Sequence, residues 1–311
     1  MTRSEFLFVA IDKALHGIQN YRKFKNVVKE DEVVYDDNFP ADCTGEFFYD
    51  TEVMKKGEKM PVVLNIHGGG FVKGDKKHRF SLSSVYADKG YFVFNINYRL
   101  APKYKFPAGI IDSINAFNYL VTVKDKYNLD LDKVTVTGDS AGAYYAAMIV
   151  AVANDEKLRE ALGCPEAKYK PACLVSCCGP YDLVASITLT KLPFNLVWDI
   201  GRCMFDDDNY KLTKDFSNVQ EYKYINDMSP INFVNENWCP SFLVISKQDI
   251  FCKGQGELLE EKLKNVGVPV ETFSSEKLLD NHCFHLDMYK GISKQCYEKI
   301  FAFMDKIIRN K

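Results

Sequence analysis

Along most of this 311-residue chain, short runs of apolar and β-branched residues alternate with longer segments whose apolar positions recur every three or four residues. The runs at 62–66, 91–97, 134–137, 172–178, 242–246 and 268–273 read as strands. Several are apolar throughout, which is the pattern of strands covered on both faces. Between them Ile110, Ile111, Ile114, Phe117, Leu120 and Val121 keep a helical period, as do Ile292, Cys296, Ile300, Phe303 and Ile307 near the C-terminus. This alternation predicts βαβ units, and with them an α/β fold with a mostly parallel central sheet and helices on both faces.

Two stretches interrupt the rhythm. Residues 1–45 precede the predicted sheet and carry Leu7, Phe8, Ile11, Leu15 and Ile18 at helical spacing, as in an amphipathic helix docked on the body. A helix lying on a membrane surface is the competing reading, and the lack of a Lys/Arg excess on the polar face speaks against it. Residues 185–228 fall between two predicted strands and are rich in aromatics, with the acidic cluster Asp206-Asp207-Asp208. An insertion of that length inside a compact α/β domain is seldom structureless. The two stretches are therefore expected to form a small helical cap, 1–45 as N-terminal cap helices and 185–228 as a cap insertion, over a body made of 46–184 and 229–311. An insertion that only thickens one side of the body is the plainer alternative. Phe194, Trp198 and Phe205 are expected to be mostly core of the cap.

Composition narrows the class. With 47% hydrophobic and 26% charged residues, the chain can bury one large α/β domain plus a small accessory element. A net charge of −2 supplies no basic field for phosphate backbones, so no nucleic-acid partner is expected. Lys55-Lys56 and Lys76-Lys77 read as solvated loop charges. The apolar run 6–11 is too short to span a membrane, and Glu5 and Asp12 flank it where a signal peptide carries positive charge and small residues. Ten cysteines include no C-x-x-C pair, and Cys173, Cys177 and Cys178 sit in an apolar run, as buried free thiols do. A reducing, cytoplasmic location follows as the expectation. The histidines are scattered except for His282 and His285, which lack a third ligand nearby, so neither metal nor cofactor is expected.

The chemistry concentrates in two motifs, His67-Gly68-Gly69-Gly70-Phe71 and Gly138-Asp139-Ser140-Ala141-Gly142, each directly after a predicted strand. A G-x-S-x-G string alone arises by chance in about one chain in ten of this length, whereas a His followed by three glycines arises in only a few per thousand. Their co-occurrence points away from chance. Ser140 stands between a strand and a helix-compatible run, where flanking glycines permit a sharp turn and the helix N-terminus favours developing negative charge. A serine hydroxyl needs a base within hydrogen-bond reach and a third group to fix the base's tautomer. Downstream base candidates are His282 and His285. For the acid, Asp249 lies just past a predicted strand, in the crevice at the strands' carboxyl ends, with Asp182 as its rival. Asp280 is close enough in sequence to orient His282 locally. The triple glycine brings backbone N–H groups close to a reacting carbonyl because no Cβ intervenes, and with the Ala141 N–H it forms a candidate oxyanion site.

These residues resemble the hormone-sensitive-lipase-like branch of the α/β-hydrolases, which includes bacterial carboxylesterases and arylacetamide deacetylase. The resemblance covers most of residues 60–305 and extends to Tyr98-Arg99-Leu100-Ala101-Pro102, Phe106-Pro107-Ala108 and Asp112. It implies the α/β-hydrolase fold, with Ser140 as nucleophile, His282 as base, Asp249 as acid, and Gly69, Gly70 and Ala141 as oxyanion donors. It implies hydrolysis of small carboxylic esters through an acyl-enzyme, with no cofactor and with the cap lining the pocket. Members often pair through the last strand and helix, which implies a homodimer. An amidase or N-/O-deacetylase with the same triad is the alternative activity. A ligand-binding protein like the plant gibberellin receptors, which have lost the catalytic His, is the alternative of a different class. Three departures stand out: Lys103 in place of the usual Glu, Ala143 in place of Gly or Asn, and no acidic pair after Asp249.

Overall fold

The computed structural model describes residues 1–309. Helix α1 (Arg3–Gln19) comes first, and strands β1 (Val27–Val34) and β2 (Thr44–Asp50) follow, the latter running into the short helix α2 (Thr51–Lys55). Next come β3 (Met60–Ile66), α3 (Phe80–Asp88), β4 (Phe92–Ile96), α4 (Ala108–Tyr127), β5 (Leu129–Asp139), α5 (Ala141–Asn154) and α6 (Glu156–Ala161). Strand β6 (Cys173–Cys177) is separated from β7 (Ser241–Ser246) by helices α7 (Leu183–Leu189) and α8 (Leu196–Phe205). Helix α9 (Gln255–Asn265), strand β8 (Val270–Ser275) and helix α10 (Gly291–Met304) follow.

The strands form one sheet in the order β1-β2-β4-β3-β5-β6-β7-β8. From β4 through β8 every pairing is parallel, while β1 on β2 and β2 on β4 are antiparallel. This is the α/β-hydrolase arrangement. The continuous apolar runs arise because alternate residues feed two cores. Val62, Leu64 and Ile66 of β3, with Leu243 and Ile245 of β7, join Ile114, Phe117 and Leu120 of α4 on one face. Val63, Val93, Val175, Phe242 and Val244 point the other way, into a core completed by Val85 and Tyr86 of α3 and Ile300 and Phe303 of α10. Helix α5 is buried from Ala141 to Val152, which accounts for its lack of a polar stripe.

The expectation for residues 1–45 needs correction. Only Arg3–Gln19 is an α-helix there, and Val27–Val34 is a strand paired with β2 at the antiparallel end of the sheet. Its Lys-Glu-rich sequence hid it, because an edge strand carries charge where a central strand carries valine. Lys76 also departs from its reading as a solvated charge: it is buried, and its Nζ donates to Thr44 Oγ1 at 2.9 Å.

Helix α1 is tied to α8 across 195 residues of sequence. The Ser4 amide and hydroxyl both donate to Asp199 Oδ2, at 2.8 and 2.7 Å, and Arg202 Nε donates to the other carboxylate oxygen at 2.9 Å. Thr2 and Glu5 close a reciprocal cap at the start of α1. No helix among the described residues is long and apolar enough to cross a membrane.

Candidate active site

Ser140 sits on the turn between β5 and α5 with φ 53° and ψ −120°, outside the comfortable regions for a residue with a Cβ. The flanking glycines make that turn geometrically feasible. A Cβ on Gly142 would overlap the Ile66 carbonyl, and one on Gly138 would overlap the Gly142 backbone. The Ser140 amide donates to the Cys177 carbonyl at 2.8 Å, fixing the elbow to the neighbouring strand.

Three elements supply a hydrogen-bonded chain. His282 Nε2 lies 2.8 Å from Ser140 Oγ, and His282 Nδ1 lies 2.8 and 2.9 Å from the two oxygens of Asp249. With its proton on Nδ1 the ring donates to Asp249 and accepts from the serine hydroxyl. Asp249 follows β7 and is itself held by the Phe251 and Cys252 amides, both 2.8 Å from Oδ1. The loop carrying His282 is pinned to the ends of β7 and β8. Ser246 Oγ donates to the Asp280 carbonyl at 2.6 Å, Ser275 Oγ to the Asp280 carboxylate at 2.7 Å, and the His282 amide to Asn281 Oδ1 at 2.7 Å.

Burial disfavours a charged imidazole, but the carboxylate of Asp249 outweighs it and pushes His282 up to about 9. Burial also works against ionised Asp249, yet His282 and the two amides hold its carboxyl below the ordinary value.

The glycine loop lies beside the serine. Gly69 has φ 137° and Gly70 φ 58°, conformations that strain residues with side chains, and a Cβ on Gly69 would overlap the Lys73 carbonyl. The amides of Gly69, Gly70 and Ala141 have no hydrogen-bond acceptor among the described residues. His67 does not face the serine. Its ring stacks on Tyr98 with centroids 4.5 Å apart, and Tyr98 donates to the His67 carbonyl at 2.8 Å, which braces the loop from beneath.

Two cavities meet at Ser140. The smaller, about 60 Å³, is walled by apolar side chains of the body and of α7 and α8, among them Leu183, Ile187, Leu192, Val197 and Ile200. The larger, about 280 Å³, opens on the His282 side and mixes Ile11, Leu15 and Ile250 with Asp12, Gln19 and Asn281. Phe8 of α1 and Phe251 border both cavities, with ring centroids 6.1 Å apart.

The BD-FAE family model matches residues 50–263, which carry the glycine loop, the elbow and Asp249. The chain belongs to that family. It stands in the hormone-sensitive-lipase-like branch of the α/β-hydrolase superfamily. An α/β-hydrolase of Acanthamoeba polyphaga mimivirus is 27% identical over 84% of this chain and 70% of its own length. Esterase LipI of Mycobacterium tuberculosis is 35% identical over 37% of each chain. The fold matches that of esterase B from Lactobacillus rhamnosis, with a TM-score of 0.82 and 20% identity over 98% of this chain and 93% of the other.

Within this family member, the other candidates from the sequence lie outside the hydrogen-bonded chain. Asp182 caps α7, accepting the Ala185 amide at 2.9 Å. His285 is buried, with its Nδ1 unpartnered, and burial pushes it down to about 4. Asp112 pairs with Arg99, and Lys103 with Asp42. Among the described residues, three clusters bring possible metal-ligand atoms within 4.8 Å of one another. Two share His282, whose ring nitrogens already contact Ser140 and Asp249, and the third contains Asp112, which Arg99 occupies.

Sequence reasoning missed the ion pair under the nucleophile. Asp139 is buried next to Ser140, and the Arg79 guanidinium grips both its oxygens, Nη2 at 2.6 Å from Oδ2. Burial alone would raise the Asp139 carboxyl, but Arg79 brings it below the ordinary value. The signal available was the Asp inside Gly-Asp-Ser, a carboxylate in an apolar strand that needs a cation. Its partner, sixty residues away, had no spacing to reveal it.

Proposed function

We propose that the chain is a serine carboxylesterase that transfers short acyl groups from larger alcohols to water. The observation that carries this reading is the unbroken chain Ser140–His282–Asp249 beside glycine amides that have no acceptor among the described residues. Ser140 Oγ attacks the ester carbonyl as His282 takes its proton, and the Gly69, Gly70 and Ala141 amides receive the oxyanion. His282 then hands the proton to the leaving alcohol, and water repeats the sequence on the acyl-enzyme. Because His282 serves the leaving group, the alcohol belongs in the larger cavity on its side, and the acyl chain in the smaller one bordered by Gly70 and Ala141. Helix α1 together with the insertion at 185–228 acts as the cap in this reading, since α7 and α8 wall the acyl side and Phe8 of α1 borders both cavities. Relatives named esterases support the same activity.

The small cavity has room for about four water-sized groups. In a p-nitrophenyl ester series from acetyl to octanoyl, kcat/KM is expected to peak between acetyl and butyryl and to fall at least about ten-fold by octanoyl. Ile187→Ala should move the peak to longer chains by removing part of the wall. A profile that rises steadily to octanoyl would reject the assignment of the small cavity. Matching anilides in the same panel separate ester from amide hydrolysis.

The pH profile follows from the imidazole. Only neutral His282 can act as base, so kcat/KM should rise with pH, and the Asp249 carboxylate places that rise above the ordinary imidazole value, toward about 9. In Asp249→Asn the carboxylate is gone while burial remains, so the residual activity should rise at a lower pH than in the parent. A limb unmoved by this substitution would contradict the role given to Asp249.

The reading includes a cytoplasmic location, supported by ten free cysteines of which nine are buried. It also includes a homodimer paired along β8 and α10, supported by the position of β8 at the edge of the sheet. Sedimentation at twice the 35.6 kDa chain mass tests the dimer, and a monomer at micromolar concentration would refute it.

A further inference from the structure

Helix α1 carries apolar side chains on two faces. Its inner face, with Phe8, Ile11 and Leu15, borders the cavities at Ser140. The positions pointing outward at helical spacing are Phe6, Val9, Ala10, Lys13, Ala14 and Gly17, and all six are exposed. A surface helix ordinarily places charged and polar residues there. Phe6 is 66% exposed and, beside it on the cap, Phe194 is 78% exposed, with an apolar groove of about 620 Å³ between α1 and the Phe194 segment. Arg3 fastens the two together, its Nη1 donating to the Phe194 carbonyl at 3.3 Å.

Charge is sorted just as sharply. Both acids of α1 turn toward the protein: Glu5 meets Lys73 at 3.0 Å, and Asp12 lies 3.8 Å from His78 Nε2 and borders the larger cavity. The exposed charged side chains of residues 1–25 are Arg3, Lys13, Lys23 and Lys25, all cationic. Counted over the whole helix the charges cancel and no basic excess is visible; counted by face, the outside is positive.

We propose that the outer face of α1, with Phe194 beside it, docks on an anionic lipid surface. Apolar side chains enter the headgroup boundary while Arg3 and Lys13 of the same helix meet the negative surface potential. A second copy of this chain is a poorer occupant, since a two-fold contact through this face would set Arg3 and Lys13 against their own copies. Because the inner face of the same helix borders the larger cavity, docking holds that cavity within about one helix diameter, ~10 Å, of the lipid boundary, a short path for an ester of low water solubility. Only that last consequence rests on the esterase reading; the docking itself does not.

Each cation held near an anionic surface multiplies binding roughly five-fold. In co-sedimentation at about 0.1 M salt, the full chain should bind vesicles of phosphatidylcholine with about a third phosphatidylglycerol at least about ten-fold more tightly than pure phosphatidylcholine vesicles, and added salt should erase the difference. Phe6→Asp with Val9→Asp should lose at least about ten-fold in vesicle binding while keeping its hydrolysis of a water-soluble short ester, which reports an intact fold. Ser140→Ala should bind vesicles as the parent does, separating docking from catalysis. Equal binding to both vesicle types, or undiminished binding of the double variant, overturns the proposal. So does a chain that ignores vesicles but self-associates through this face and is made monomeric by the double substitution.

Discussion

Ser140→Ala should lower ester turnover by about 10⁴-fold or more while leaving thermal stability close to that of the parent. The size of the effect follows from what the hydroxyl does: it forms the covalent bond to the acyl group, and no neighbouring side chain on the Ser140 elbow can replace it. His282→Ala should cost a similar factor, because Oγ then has no base within reach, the Nε2 contact at 2.8 Å being the one that activates it. Combining the two substitutions should add little, since they disable one unit. His285→Ala should leave the mechanism in place, because that ring is not part of the chain from Ser140 to Asp249. Steady-state kinetics on a short p-nitrophenyl ester read all four. If His285→Ala abolished turnover and His282→Ala did not, the base would be misassigned.

The second large effect concerns stability. Arg79→Met leaves the buried Asp139 carboxylate without its guanidinium and should destabilise the fold by about 3–5 kcal/mol. For a chain of 311 residues that corresponds to a fall of about 5–8 °C in Tm. The companion substitution separates an unpaired charge from lost packing. Arg79→Met with Asp139→Leu removes both charges and should recover most of the lost stability, because an apolar pair of similar volume avoids the desolvation cost that the ion pair carries. A double variant no more stable than Arg79→Met alone would show that the pair matters for shape and not for charge. The pair also explains why a carboxylate next to the nucleophile does not disturb it: Arg79 neutralises Asp139 at the floor of the elbow.

The parts legible in the sequence are those written in local patterns. Strands β3 to β7 announce themselves as apolar runs because both their faces are covered, as Val62, Val63 and Leu64 illustrate by feeding opposite cores in turn, while the partly exposed edge strand β8 shows only through Val268, Val270 and Phe273. Strands β1 and β2 are less legible. Val27–Val34 is charged at its centre, and Thr44–Asp50 opens on Thr44, Gly45 and Glu46 before its aromatics, so neither matches the pattern of a buried parallel strand. The elbow and the glycine loop stand out because a positive φ and a close backbone approach demand glycine at fixed spacings. Asp249 and His282 are legible by their places after strands, and the structure brings both within hydrogen-bond distance of one another.

What the sequence does not carry is anything decided by contacts between distant segments. The Arg79–Asp139 pair, the contact of Phe8 with Phe251 at the border of both cavities, and the cap's attachment through Ser4 and Asp199 join residues 60 to 243 positions apart. The face-by-face charge of α1 belongs with them. Glu5 and Asp12 look like surface acids in the sequence, and only their contacts with Lys73 and His78 turn them inward. Phe194, expected in the core of the cap, is exposed for the same reason: nothing in the local pattern distinguishes it from Phe205, which is buried.

Covalent labelling with a fluorophosphonate, followed by peptide mass spectrometry, decides whether Ser140 is the nucleophile of an acyl-transfer site. A single residue, Ser140, is expected to be phosphonylated, with labelling lost in Ser140→Ala and greatly slowed in His282→Ala. Phosphonylation at another residue, or labelling of Ser140→Ala at the parent's rate, would contradict that assignment.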